Sequence, residues 1–188
     1  FYYFKGLFQE GESIAQAVVS ALRDLLVTQP SAAPVEYELV RALLTQGRFC
    51  ERLARLVEAE QLMQEGVARA QALGAIDLQA RGYLGLAAVA QIRHDNATMR
   101  AMGEKMIALT AINTFPAVES ARMKSYGLKY LGIYGVYTHN YQQAAACFNQ
   151  GLLLAQQIED RELEAMLVNN LGVVYNMAGN FSQALHCF

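Results

Sequence analysis

The sequence predicts an all-α protein, an α-solenoid of about five antiparallel helical hairpins, and three observations carry that expectation. A block of residues recurs at a shift of 40, the apolar residues inside each block keep helical spacing, and all three prolines fall between predicted helices. A fixed period of this length means one supersecondary unit stacked on copies of itself, because a lone unit cannot bury its apolar face.

The period is read most directly at the C-terminal end. Leu131-Gly132, Asn140-Tyr141, Ala144, Cys147 and Phe148 return as Leu171-Gly172, Asn180-Phe181, Ala184, Cys187 and Phe188, every one at that same shift. Ala59, Met63, Gly66, Ala70 and Leu73 stand in the same order as Ala144, Phe148, Gly151, Ala155 and Ile158, at a shift of 85 that divides into one repeat of 40 and one of 45. Asp95-Asn96 and Met99 stand where Asn140-Tyr141 and Ala144 stand, which places the extra five residues in the connection at Asn113-Thr114-Phe115-Pro116.

Taken in order, the expected helices are 1–9, 12–28, 35–55, 58–73, 78–93, 96–112, 117–138, 141–158, 162–178 and 181 onward, grouped as hairpins 1–28, 35–73, 78–112, 117–158 and a truncated 162–188. Leu128, Leu131, Tyr134 and Gly135 before a turn, and Ala144, Cys147, Phe148, Gly151, Leu152 and Ala155 after it, keep the helical spacing of a buried stripe. Met99, Met102 and Met106 share that spacing and read as core. Asn140 with Gln143, Asn180 with Gln183, and Ser13 with Gln16 place a side-chain acceptor at a helix start with an amide three residues on. Pro30, Pro34 and Pro116 lie between hairpins, where a missing N–H does least harm. The stretch Arg52 to Glu58 contains no Gly, Pro or Asn to mark its turn, so the boundaries of the 35–73 hairpin are the least defined.

Composition narrows the class of protein. With 54% hydrophobic and 17% charged residues the chain has enough apolar material for a packed core, and its apolar runs fall far short of the roughly 20 residues that span a bilayer. The 15 basic and 17 acidic residues are interspersed, with no basic stripe for a phosphate backbone, so direct nucleic-acid contact and membrane attachment are not expected. Cys50, Cys147 and Cys187 form no C-x-x-C pair, and neither a disulfide framework nor a metal site is expected of them; a reducing cytoplasm suits them best. The start, Phe1-Tyr2-Tyr3-Phe4-Lys5, has neither an initiating Met nor the form of a signal peptide, and reads as part of a single repeat domain, 1–188, cut from a larger protein. The aromatic stretch Phe1 to Phe8 is expected to pack on an upstream hairpin or a partner.

The run Leu171-Gly172-Val173-Val174-Tyr175-Asn176-Met177-Ala178-Gly179-Asn180-Phe181-Ser182-Gln183-Ala184, continued by Phe188, resembles the tetratricopeptide repeat. The preceding unit matches at Leu131-Gly132, Tyr141, Ala144 and Phe148, but carries Gly135 at the usual first-helix Tyr and His139 at the usual turn Gly. The resemblance implies a right-handed superhelix in which Gly132, Gly172, Ala144 and Ala184 let backbones approach while Tyr141, Phe148, Phe181 and Phe188 fill the gaps between hairpins. A period of 40 rather than 34 resembles the long variant in kinesin light chains and in bacterial regulators such as signal-transducing ATPases of the maltose-activator type.

In that family the first helix of each hairpin lines the concave groove. The resemblance therefore implies a groove-binding set of Arg81, Gln91, Tyr126, Lys129, Tyr137, Asn169, Asn170, Val173 and Asn176. Rings, amides and a few cations suit an extended peptide or a polar small molecule. Only Lys129 and Asn170 match the clamp with which some tetratricopeptide domains hold chaperone tails; Leu84, Ala88, Ile133 and Val173 stand where its other residues would be. His94 and His139 sit at equivalent turns and His186 in the last helix, without ligand partners at metal spacing. Glu159, Asp160, Glu162 and Glu164 gather at a helix start, where the macrodipole favours them.

No phosphate-binding, dinucleotide, zinc-protease or nucleophile-elbow motif is present, so neither an enzyme nor a cofactor is expected. The sequence points to a module for protein–protein interaction whose groove takes a peptide or a partner domain, including another domain of the same protein. The alternative is a ligand- or peptide-sensing domain of a bacterial transcriptional regulator. Exposed end hairpins could also stack two copies into a dimer.

Overall fold

The computed structural model describes residues 2–28, 32–112 and 115–188, with side chains from residue 6 onward. Nine helices follow one another among the described residues: α1 (Tyr2–Thr28), α2 (Ala33–Arg52), α3 (Leu56–Ala72), α4 (Ile76–Ile92), α5 (Asn96–Leu109), α6 (Ala117–Tyr137), α7 (Tyr141–Gln157), α8 (Arg161–Met177) and α9 (Phe181–Cys187). The protein is all-α. Two compact units divide it, Phe1–Val89 and Ala90–Phe188, the division falling within α4. In the first unit α1 packs on α2 and α2 on α3, and α4 runs against α3, where a Cβ added at Gly85 would strike Met63. In the second unit α5 to α9 each pack on the next, and α6 also touches α8, so the first helices of successive hairpins stack. That is the arrangement of an α-solenoid, helical hairpins packed in chain order.

Six of the connections are three residues long and close in one way. The middle residue, Ala54, Gly74, His94, His139, Glu159 or Gly179, takes a left-handed backbone with φ between 55 and 78°. The next residue's N–H reaches back to a carbonyl of the last helical turn: Arg55 to Cys50, Ala75 to Ala70, Asp95 to Ala90, Asn140 to Gly135, Asp160 to Ala155 and Asn180 to Tyr175, all at 2.8–3.0 Å. The left-handed residue donates to a second carbonyl, as Ala54 does to Glu51 and His139 to Val136. These paired bonds satisfy carbonyls that a helix end otherwise leaves open. After three of the turns a side chain completes the closure: Asp95 accepts from Thr98 N, Asn140 from Gln143 N and Asp160 from Leu163 N. Asn140 also donates through Nδ2 to Gln143 Oε1 at 2.8 Å, so the two amides pair through their side chains, while the Asn140 backbone N–H is taken by the Gly135 carbonyl. The bonds that Asp95 receives from Thr98 lower its carboxyl pKa.

Several expectations are corrected. Residues 1–9 and 12–28 do not form a hairpin: α1 is continuous, and Ser13 lies inside it rather than at a cap. Gly11 does not end the helix because it faces the Phe49 ring and makes room for it. Pro34 belongs to the first turn of α2, where its missing N–H has no partner to lose, and Pro116 caps α6. Pro30 lies outside the described residues, as do 113 and 114 of the expected insertion; the connection that holds them, 110–116, is the longer one. Asn180 makes no side-chain cap bond. The side chains of Phe1 to Lys5 lie outside the described set, while Phe8 is half-buried.

The core repeats as the sequence does. Phe148 is buried against Gly132, and Phe188 lies on Gly172, where an added Cβ would come within 2.7 Å of the ring. Ala144 and Ala184 are buried, as are Met99, Met102 and Met106. Ser125, also buried, donates its hydroxyl to the Gly151 carbonyl at 2.8 Å. Phe181 is exposed by 68%, and Phe188, although its ring lies on Gly172, by 71%, so neither is enclosed as Phe148 is.

Two measurements test this account. Phe148→Ala should cost about 3–5 kcal/mol in chemical denaturation, against less than half of that for Phe188→Ala. Glu159→Gly should raise the denaturation midpoint and Gly179→Ala lower it, each by up to about 1 kcal/mol, because only the left-handed position separates them. Equal effects of the two aromatic truncations, or a loss on Glu159→Gly, would contradict the packing and the turn geometry respectively.

Candidate functional site

The expected groove residues all sit on first helices, with Arg81 and Gln91 on α4, Tyr126, Lys129 and Tyr137 on α6, and Asn169, Asn170, Val173 and Asn176 on α8. None belongs to the buried core. On α8 the pattern is cleanest: Leu163, Leu167, Leu171 and Val174 are buried, whereas Asn169, Val173 and Asn176 form an exposed stripe at spacings of four and three. Asn170 lies off that stripe and is half-buried. Asn169 also borders a hollow of ≈ 410 Å³ with Arg161, Glu164 and Phe188, where α8 meets α9.

On α6 the candidates are held by their neighbours. The Lys129 ammonium lies 4.3 Å from the Tyr130 ring centroid and 5.5 Å from that of Tyr126, a position in which the negative ring faces attract it. Tyr137 is exposed, and the His94 ring meets it edge-on with centroids 5.8 Å apart. One turn earlier on α6, Arg100 of α5 lies over Tyr134 at 5.4 Å. Gln91 is half-buried at the end of α4, where its carbonyl accepts the His94 N–H of the turn. The second unit therefore presents, on contacting helices α6 and α8, an aromatic-cationic stretch and an amide stripe.

Arg81 belongs to the first unit and borders a different feature. A pocket of ≈ 250 Å³ is lined by Arg41, Thr45 and Arg48 of α2, by Arg81 and Leu84 of α4, and by apolar Leu44, Met63 and Leu78. Arg41 Nη1 donates to both oxygens of Glu38, at 2.9 and 3.1 Å. Arg48 Nε stands 3.5 Å from Glu51 Oε2, an ion pair without hydrogen-bond geometry. Beside the pocket Tyr37 donates to Asp77 Oδ2 at 2.6 Å, and the carboxylate so engaged holds the tyrosine pKa up. The groove set expected from the sequence lacks the three α2 residues, because the unmarked turn after Arg52 leaves that register open. A readable signal exists all the same, since Arg41, Thr45 and Arg48 are spaced as a helical stripe.

Several other titratable groups are engaged within the fold. Glu12, Cys50 and Glu58 bring ligand-type atoms within 4.8 Å of one another, but a guanidinium already serves the carboxylates: Arg55 Nη1 lies 3.2 Å from Glu12 Oε2, and Arg55 Nε donates to Glu58 Oε2 at 2.8 Å. Glu12 also accepts from Gln46 at 3.2 Å. Those bonds, led by the one to Glu58, raise the arginine pKa, and burial raises that of the Cys50 thiol. His94 and His139 occupy left-handed turn positions, and His139 Nδ1 pairs with the Tyr141 hydroxyl at 2.9 Å. Cys147 is half-buried, with its thiol pKa raised by desolvation, as fits packing rather than thiolate chemistry. No helix among the described residues is long and apolar enough to cross a membrane.

No protein-family model and no curated protein matches the chain. Among solved structures it is similar to BtubC (BKLC) from P. vanneervenii, at 17% identity and a TM-score of 0.49, over 96% of this chain and 87% of that one.

Arg55→Met should destabilise the fold by about 1–3 kcal/mol, because it leaves the buried Glu12 carboxylate short of its cation, and adding Glu12→Gln should restore part of the loss. Denaturation of the two single variants and the double variant checks this; strictly additive losses would remove the coupling.

Proposed function

We propose that this chain is a protein-interaction module that acts by binding, and that the face of its first helices takes an extended or helical segment of a protein partner. The observation that carries the reading is the division of α8: one side is core, and the other is an exposed stripe of Asn169, Val173 and Asn176, whose side chains make no hydrogen bond among the described residues. Amides offer both donors and acceptors to a peptide backbone, and Val173 supplies a small apolar contact. On the contacting α6, Tyr126 and Tyr137 add ring surface of the kind that anchors interfaces at low entropic cost. Lys129, already over two rings, adds fixed positive charge rather than a mobile one.

Three features support the wider setting. A repeat period of 40, with uniform turns closing the hairpins, suits the long tetratricopeptide variant, with a partner protein or another domain of the same protein as the occupant. Three free thiols suit a reducing, cytoplasmic compartment. Interspersed charges at a net of -2 give no electrostatic pull toward nucleic acid.

Selection from a displayed random-peptide library, followed by titration of the selected peptides, tests the reading. Tyr126→Ala, Lys129→Ala and Asn169→Ala together should weaken peptide binding at least about tenfold while leaving the far-UV circular dichroism unchanged. Undiminished binding by the triple variant, or a library that yields no binder, would sink the assignment.

A further inference from the structure

We infer that the arginine-lined pocket between α2 and α4 is a binding site for a carboxylate carried on an apolar stem. The inference rests on reading the first-helix face as a binding face and adds the chemistry of one ligand group to it.

The pocket joins two unlike surfaces. Leu44, Met63 and Leu84 supply its apolar part, and the guanidinium groups of Arg41, Arg48 and Arg81 bring positive charge to it, with no carboxylate among the described lining residues. Such a division matches an amphiphile, since hydrocarbon is drawn to the floor and an anion to the arginines. Charge selects among anions. Glu38 holds Arg41 and Glu51 stands beside Arg48, whereas Arg81 has no ion pair among the described residues. Asp77, one turn before Arg81, is engaged by the Tyr37 hydroxyl. A site with two of its three cations already matched suits a monoanion better than a phosphate dianion, which would bring a second charge to a mouth flanked by carboxylates. The planar guanidinium fork fits a carboxylate edge-on, whereas the Thr45 hydroxyl, whose proton goes to the Arg41 carbonyl at 2.8 Å, keeps only acceptor capacity, for a water or a ligand N–H. The pocket holds ≈ 250 Å³, which suits a single short stem rather than a folded segment.

The carboxylate could belong to a free organic acid or to the end of a protein chain. Titrations of the full chain with hexanoate, N-acetylleucine and uncharged hexanamide separate these sources, read by NMR at the methyl groups of Leu44, Met63 and Leu84. At least one acid should perturb those methyls, at least about tenfold more tightly than hexanamide, and Arg81→Met should weaken it at least about tenfold. Response to hexanoate alone identifies a free acid, and response to N-acetylleucine alone a chain terminus; either supports the site. Arg81 is exposed, so its replacement leaves the fold intact, and Arg41→Met provides a second variant; Arg48 is kept to avoid stranding the largely buried Glu51. No perturbation by either acid, or equal binding by wild type and Arg81→Met, overturns the inference. Peptide binding through α6 and α8 uses none of these side chains. Loss of the acid site with peptide binding intact therefore defeats only this proposal, and the reverse result defeats only the peptide groove.

Discussion

The fold depends on one repeated closure: a helix ends, one residue turns left-handed, and two N–H groups return to the last turn's carbonyls. Because the closure is the same at six connections, packing between consecutive helices can use similar contacts each time. The geometry is needed strongly enough that Ala54, His94, His139 and Glu159 adopt a backbone that favours glycine. At two of these sites the side chain found a use in the strained position: His94 meets Tyr137, and His139 pairs with Tyr141.

Uniform turns make the Gly–Phe contact repeatable. Gly132 with Phe148, and Gly172 with Phe188, are one contact made twice, a bare backbone on the first helix receiving a ring from the second half of the hairpin. With the second helix seated on one side and the next first helix on another, as α6 meets α7 and α8, what remains of a first helix is a narrow face. That geometry concentrates the binding candidates where they are, because a residue on this face is spared full burial in the core and can be polar.

Polar contacts hold successive first helices in register. Tyr37 of α2 reaches Asp77 of α4 in the first unit, and Arg122 of α6 reaches Asp160 before α8 at 3.0 Å in the second. Both link the start of one first helix to the start of the next, although the residues differ. Most other ion pairs, such as Arg41–Glu38 and Arg100–Glu104, are exposed and lie within one helix, where they add little stability. Arg23, Arg69 and Arg55 instead pair across helices, and Arg55, whose partner Glu12 also holds Gln46, ties α1, α2 and α3 together. By joining those helices it helps fix α2, and with α2 the arginines of its pocket.

Local rules suffice for the all-α class, the period, the helix-start caps at Asn140 and Asp95, and the buried identities of Ala144, Phe148 and the α5 methionines. Helical spacing, capping bonds that reach one turn along the chain, and a register copied from one repeat to the next are all visible in the order of the residues. The exposed stripe of α8 is legible for the same reason, since a clean repeat fixes which helical face is turned away from the core. Other features rest on contacts between residues distant in sequence, and they become visible only in the folded chain. Gly11 continues α1 because the Phe49 ring fills the space it leaves, and Ala54 makes a turn without turn residues because Arg55 bonds back to Cys50. The arginine pocket needed both, for Arg41 and Arg48 meet Arg81 only once α2 is seated and α4 has returned beside it. No spacing along one helix could reveal a site whose two halves are supplied by different hairpins.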